Sequence, residues 1–255
     1  MVEKNAVQLS VIVPVFNEQE NIRPLANEIR SSLQASLPFE LIYVDDGSQD
    51  DTYAELQALR DEGFPELQIV RHDGCFGQST SVLSGCRQAR AEWIVTLDGD
   101  GQNDPADILA LYHALVDKHA EDNRYLCAAG YRKNRHDGWV KRWSSRIANA
   151  VRSRLLHDST PDTGCGLKVM QRKAFLALPF FDHLHRFIPA LIQRNGGKII
   201  VVEVNHRART AGKSKYGIGN RLWVGLVDLF GVKWLCARAK NPRYLSAVAQ
   251  AVYDD

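Results

Sequence analysis

WIVTLDGDGQ, residues 93–102, sets a continuous apolar run against a turn that carries two carboxylates. Trp93–Leu97 has strand length and no polar alternation, which suits a strand buried on both faces of a parallel sheet. Asp98 and Asp100 follow it, separated by Gly99. A tight turn there lets both carboxylates face a hard divalent cation, Mg²⁺ or Mn²⁺, with Gln102 as a further oxygen donor. A plain Asp-Gly turn needs no metal, so the meaning of this stretch depends on what stands beside it. A calcium EF-hand fits poorly, because no Glu follows at the required spacing and the flanks are not two helices.

Working outward, Leu9–Val15 (LSVIVPV), Leu41–Asp45 (LIYVD) and Leu67–Val70 (LQIV) are apolar runs of the same kind. Glu20–Ser36, Asp51–Asp61 and Phe76–Arg90 lie between them with helical composition and length. Asp51 or Ser48 is placed to cap the second of these, and Pro105 stands where a first helical turn tolerates proline. The alternation predicts an α/β chain with an open, mostly parallel sheet flanked by helices. Ligands in such sheets collect beyond the carboxyl ends of the strands. The residues there are Phe16-Asn17-Glu18, Asp45-Asp46-Gly47-Ser48, Arg71-His72-Asp73 and Asp98–Gln102. Four polar strand ends on one edge make a site. Asp45 and Asp46 can accept from a ribose or the N–H edge of a base, or one of them can cap the next helix. No G-x-G-x-x-G marks the first turn and no Walker A sequence occurs. This speaks against a hydride-transfer Rossmann enzyme and a P-loop NTPase.

The rest of the chain is less regular. Ser144–Leu156 reads as a helix after a basic loop, Asp162–Gly166 as a small-residue turn and Lys168–Leu178 as a helix. Lys198–Val204 reads as a strand, Ala211–Gly219 as a mobile loop, and Leu222–Lys240 as an apolar helix with a basic end. The 255 residues are 45% hydrophobic and 24% charged, which excludes disordered, collagen-like and disulfide-scaffold classes. Five scattered cysteines form no CxxC pair and suit a reducing compartment. No uncharged apolar run reaches the roughly 18 residues of a membrane span, and the polar N-terminus is unlike a signal peptide. The net charge of +2 conceals −13 over residues 1–130 and +15 over residues 131–255. Either these are solvated faces, or carboxylates serve a cation in one half and basic groups an anionic partner in the other. Nucleic acid is not that partner, since RNP-type aromatics, zinc-finger spacing and a recognition helix are all lacking.

PVFNE (14–18), VDDGS (44–48), the Gly77 loop after RHD and DGDGQNDP (98–105) resemble glycosyltransferase family 2, with its GT-A, Rossmann-like fold. Through GYRKNR (130–135), DTGCGLKVMQR (162–172) and RTAGKSKYG (209–217) the chain is similar to polyprenyl-phosphate glycosyltransferases of the dolichyl-phosphate mannosyltransferase type. The resemblance implies a metal-dependent, inverting enzyme using Mg²⁺ or Mn²⁺. It would move a sugar from a UDP- or GDP-sugar to a polyprenyl phosphate, undecaprenyl phosphate by expectation, for envelope glycan or lipopolysaccharide modification. By the same resemblance Pro14, Phe16, Glu18, Asp45 and Asp46 fall on nucleoside-binding positions, with Gly77, Gly99 and Ser214 beside the donor. Phe16 stands where a tyrosine is common. Asp98, Asp100 and Gln102 match the metal motif. Arg132, Arg209, Ser214 and Lys215 match positions that handle the acceptor phosphate or donor diphosphate. Asp162, Gly164 and Cys165 fall in the acceptor-side turn. The expected catalytic set is Asp98, Asp100, Arg132, Arg209 and Lys215.

A phosphate monoester has a second pKa of about 6 and needs a basic cradle rather than a general base. Arg132 and Arg209 would act as forked donors and Lys215 as a point charge. The alternative is a family 2 transferase acting on a saccharide or other hydroxyl, which needs a base, with His157 and Asp162 as candidates. Residues 1–220 would form the GT-A domain. Residues 221–255 would form an amphipathic, basic helical segment lying in a membrane interface or packed on protein. Relatives of this type continue into transmembrane helices where this chain stops. It is therefore expected to sit peripherally on the cytoplasmic face of the inner membrane. There it would rest on the anionic lipid surface, or dock to a membrane protein or a second copy.

Overall fold

The computed structural model describes residues 6–133, 152, 154–156, 160–208 and 218–240, with side chains in the last stretch described from residue 224. Among them, seven strands form one sheet. They are β1 (Leu9–Val15), β2 (Phe39–Asp45), β3 (Leu67–Arg71), β4 (Trp93–Thr96), β5 (Tyr125–Arg132), β6 (Lys168–Gln171) and β7 (Lys198–Val204). The order is β3-β2-β1-β4-β6-β5-β7. Only β6 runs antiparallel to its neighbours, β4 and β5; every other pairing is parallel. The described helices are α1 (Ile22–Leu33), α2 (Thr52–Asp61), α3 (Gln78–Gln88), α4 (Ile108–Glu121), α5 (Arg172–Leu176), α6 (Ile188–Arg194) and α7 (Ile218–Ala237).

The unbroken apolar runs are explained by burial on both faces of the sheet. In β1, Leu9, Val11, Val13 and Val15 enter one core layer while Ile12 enters the other. In β2, Leu41 and Tyr43 divide from Ile42 and Val44 in the same way, as the two-residue period of a strand requires. Helix α1 buries Ile22, Leu25, Ala26, Ile29 and Leu33, the 3.6-residue stripe of an amphipathic helix laid on a sheet. Truncating any of the fully buried leucines or isoleucines should cost about 2–5 kcal/mol.

The segment Lys168–Leu178, expected as one helix, is a strand followed by a short helix. Thr96 pairs with Lys168 and Trp93 with Gln171, and Val169 and Met170 enter opposite core layers. Pairing with β4 and β5 overrides a helix-like composition. Pro105 opens a 3-10 turn ahead of α4, with Asp104 accepting from the Ala106 amide at 3.0 Å. Asp51 makes no capping bond to α2, and Ser48 instead accepts from the Asn17 amide at 2.8 Å. The capping bond comes from Asp50 Oδ1, which accepts from the Thr52 amide at 3.0 Å. The chain runs from β1 outward to β3 and returns to place β4 on the other side of β1. The loops after β1 and β4 therefore meet at the switch point of the sheet, where ligands of open α/β folds sit.

Candidate active site

The loops beyond β1 and β2 are stitched together before any ligand arrives. Gln49 N donates to Asn17 Oδ1 at 2.7 Å, and Glu18 N donates to Thr52 Oγ1 at 2.8 Å. Asn17 adopts φ 51, a left-handed turn that suits asparagine. Glu18 accepts from Asn21 Nδ2 at 2.7 Å. Phe16 and Pro14 are half-buried at this edge.

The two adjacent aspartates have different surroundings. Asp45 is fully buried, and its Oδ1 accepts from the Ser48 amide at 2.9 Å. Its Oδ2 lies 3.3 Å from Arg71 Nε but has no hydrogen-bond partner. The ion pair lacks hydrogen-bond geometry, and a buried carboxylate oxygen stands ready for a donor. Arg71 stacks on Tyr53 at 4.0 Å, and a cleft of about 540 Å³ opens between Gly47, Ser48, Gln49, Arg71, His72 and Asp73. Asp46 instead holds the next loop. It accepts from the Phe76 amide at 3.0 Å, the Gly77 amide at 2.7 Å and His72 Nδ1 at 2.8 Å. Burial opposes its ionisation, but the bonds from His72, Phe76 and Gly77 outweigh this and hold the carboxyl below its ordinary value.

Gly99 and Gly166 fix the acidic turn by what they lack. A Cβ on Gly99 would sit 2.6 Å from Val15 Cγ1 and 2.9 Å from the Pro14 carbonyl oxygen. The turn after β4 thus presses directly on the end of β1. A Cβ on Gly166 would overlap the Asp98 carboxylate. Asp98 accepts from Gln78 Nε2 at 2.7 Å, and its amide donates to Asn103 Oδ1 at 3.2 Å. The Gln102 amide donates to Asp100 Oδ1 at 3.1 Å and so orients the second carboxylate. Burial, and then the charge of Asp100, push the Asp98 carboxyl above its ordinary value. Among the described residues no group of three His, Cys, Asp or Glu side chains is disposed to hold a metal ion by itself. A repelling carboxylate pair fits a hard cation that takes its other oxygens from water and a diphosphate.

Two basic groups from the second half of the chain reach this pair. Arg132 and Lys168 both lower the Asp98 carboxyl, against the effect of Asp100. Lys168 is 3% exposed, and its Nζ donates to the Cys165 carbonyl oxygen. Arg132 donates to Asp162 through Nε at 2.7 Å and Nη2 at 3.0 Å. Asp45 ends β2, Arg132 ends β5, and Asp98 and Asp100 follow β4, so all four lie at the carboxyl edge of the sheet. Sequence alone carries no sign of Lys168 or Gln78, and names His72 only as part of a strand end. Gln78 stands beside Gly77, but no local spacing links it to Asp98, and Lys168 was concealed by the helical reading of its segment. Arg209, Ser214, Lys215, His157, most of the predicted helix Ser144–Leu156 and most of the loop Ala211–Gly219 lie outside the described residues.

An open sheet with a carboxylate pair at its switch point and a single antiparallel strand beside it defines a GT-A glycosyltransferase fold. The profile of glycosyl transferase family 2 matches residues 10–178. Dodecaprenyl-phosphate galacturonate synthase of Rhizobium johnstonii is 34% identical over 242 residues, covering 93% of this chain and 70% of the relative. Undecaprenyl-phosphate 4-deoxy-4-formamido-L-arabinose transferase of Serratia proteamaculans is 31% identical over 246 residues, covering 96% of this chain and 72% of the relative. Among solved structures, a mannosyltransferase of Pyrobaculum calidifontis in complex with GDP-Man and Mn²⁺ has a TM-score of 0.65 at 20% identity, covering 92% of this chain and 66% of that one. Glucosyl-3-phosphoglycerate synthase of Mycobacterium tuberculosis has a TM-score of 0.64 at 18% identity, covering 93% of this chain and 81% of that one. The chain belongs to glycosyl transferase family 2. It is a glycosyltransferase.

Proposed function

We propose that this enzyme transfers a sugar from a UDP- or GDP-sugar to a polyprenyl phosphate, undecaprenyl phosphate above all, with inversion at the anomeric carbon. The observation that carries the reading is the meeting of an acidic pair with basic groups at one switch point. Asp98 and Asp100 would hold the cation of a donor diphosphate, and the charges of Arg132 and Lys168 act on Asp98. Both named relatives are polyprenyl-phosphate sugar enzymes.

Asp45 would receive the nucleoside, with its buried Oδ2 accepting from the base or ribose. Asp98 and Asp100 would hold Mg²⁺ or Mn²⁺, which when bound offsets the charge growing on the leaving diphosphate. The acceptor oxygen forms the new bond to the anomeric carbon as the bond to the nucleoside diphosphate breaks. No proton need be removed from an acceptor already ionised. The basic groups serve to offset repulsion between two anions. The alternative hydroxyl acceptor is less well served, because Asp162 is held by both arms of the Arg132 fork and is poorly placed to act as a base.

No described helix is long and apolar enough to cross a membrane. Helix α7 buries Leu229 and Val232 but exposes Val227, Phe230 and Trp234, with Lys233, Arg238 and Lys240 nearby. That face suits the surface of an anionic bilayer, where a polyprenyl acceptor must be met. We therefore read the enzyme as peripheral, on the cytoplasmic face. The test mixes radiolabelled UDP- and GDP-sugars, Mg²⁺ or Mn²⁺ and undecaprenyl phosphate, then extracts with organic solvent. Label entering the organic phase, and lost with Asp100→Ala, supports the reading. Nucleotide release with all label left in water overturns it.

A further inference from the structure

The first turn of α3 carries Gly77 at its start, Gln78 against Asp98 and Ser79 buried beneath, yet no side chain caps it. Ser79 is held from another part of the chain. Its Oγ meets His185 Nδ1 at 2.9 Å and accepts from the His185 amide at 3.2 Å. Two residues earlier, His183 adopts φ 64, a left-handed conformation that histidine adopts more readily than most side chains but that is uncommon outside glycine. Its Nδ1 meets Asp228 Oδ2 on α7 at 3.0 Å, and its amide donates to Asp182 Oδ1 at 2.7 Å. The same Asp182 Oδ1 lies 3.5 Å from where a Gly77 Cβ would stand. Leu184 and Phe187 anchor this stretch in the core. An uncommon backbone conformation held by contacts to two separate elements is one that the surrounding structure maintains, and such features gather at working sites.

We propose that Asp182–His185 is a strap that sets the first turn of α3 from the seating of α7, with His185 as the positioning residue for the donor site. Its path is Asp228–His183, then His185–Ser79, then Gln78–Asp98. His185 touches no reacting atom in this scheme. It fixes the turn from which Gln78 orients the donor-side carboxylate. The proposal rests on the donor reading above, and α7 is the helix assigned there to the lipid surface. The strap would therefore tie the membrane-facing helix to the carboxylates that handle the donor.

The test uses the full chain. Binding of UDP and of GDP, each with Mn²⁺, is measured by calorimetry without acceptor. Donor and acceptor KM come from transfer to undecaprenyl phosphate in phosphatidylglycerol vesicles. His185→Ala should bind nucleotide about tenfold more weakly and raise donor KM by the same factor, the effect of one buried hydrogen bond. Acceptor KM should not move. His185→Asn, whose amide reaches the place of Nδ1, should recover most of the loss. Asp228→Asn should shift donor KM in the same direction by less, with vesicle co-sedimentation unchanged. Unaltered nucleotide binding in His185→Ala overturns the strap, as does a joint loss of donor and acceptor affinity that His185→Asn fails to rescue. If the unsubstituted chain binds nucleotide but does not transfer to the lipid phosphate, the acceptor reading falls and the strap is decided by binding alone. Failure to bind either nucleotide overturns both.

Discussion

Arg132 grips Asp162 through both arms of its guanidinium while its charge reaches Asp98 across the site. The pair is 10% and 5% exposed at the side chains, so each partner depends on the other for its charge. This side of the site is thus built around an internal ion pair, with one arginine acting on two acids.

Removing one partner should leave a buried charge alone. Asp162→Ala is expected to cost about 3–5 kcal/mol of stability, read as a lowered denaturant midpoint. Arg132→Lys should keep the charge but lose the fork, so transfer falls while the loss of stability is smaller. If Asp162→Ala leaves the midpoint unchanged, the pair is not the support described here.

Asp98 is held in the protein at a cost. Its folded carboxyl lies above its ordinary value, so its stabilising share is complete below the unfolded value and lost as pH rises through the folded one. Asp98→Asn should abolish metal-dependent transfer yet, with no metal added, raise Tm at neutral pH by about 3 °C. That gain should shrink toward pH 4, and Mn²⁺ should stabilise the unsubstituted enzyme but not the variant. A destabilised Asp98→Asn at neutral pH would contradict the reading.

Asp46 has the opposite sign. Its folded carboxyl lies below the ordinary value, so its contribution is present above the unfolded value and lost as pH falls through the folded one. Asp46→Asn should cost about 1–3 kcal/mol at neutral pH, because the Phe76 and Gly77 amides lose their charged acceptor. The gap from the unsubstituted protein should close in acid. Thermal melts across pH would show it.

Helix α7 buries Leu229 and Val232 and exposes Val227, Phe230 and Trp234. Phe230→Ser and Trp234→Ser should each weaken co-sedimentation with anionic vesicles by about tenfold or more, given roughly 1.5–3 kcal/mol per buried large side chain. Tm should hold. Leu229→Ser should instead lower Tm, since that side chain lies in the core. Vesicle binding unaffected by both exposed-face changes would remove the lipid assignment.

The parts of the fold legible in the sequence are those where burial on both faces forces an unbroken apolar run, as in β1, β2 and β4. Strand β6 was hidden because only Val169 and Met170 are apolar between Lys168 and Gln171, so it lacks the unbroken apolar run of its partner β4. Its lysine was hidden with it. The acidic site was legible because strand ends in such a sheet must face one edge. Sequence could not divide the work of Asp45 from that of Asp46. That division depends on where the His72–Gly77 loop folds back, and on Gly47 allowing the approach of Gly74. His183 and His185 gave no signal, because their partners are 45 and 106 residues away.

The central claim is that the acceptor is an anion cradled by basic groups, not a hydroxyl awaiting a base. The direct measurement offers the enzyme undecaprenyl phosphate and undecaprenol in identical vesicles with the same labelled donor, and follows label into each lipid. Transfer to the phosphate and none to the alcohol is expected, and since the acceptor is already ionised the rate should stay flat above neutral pH. Glycosylation of undecaprenol at a comparable rate would contradict it.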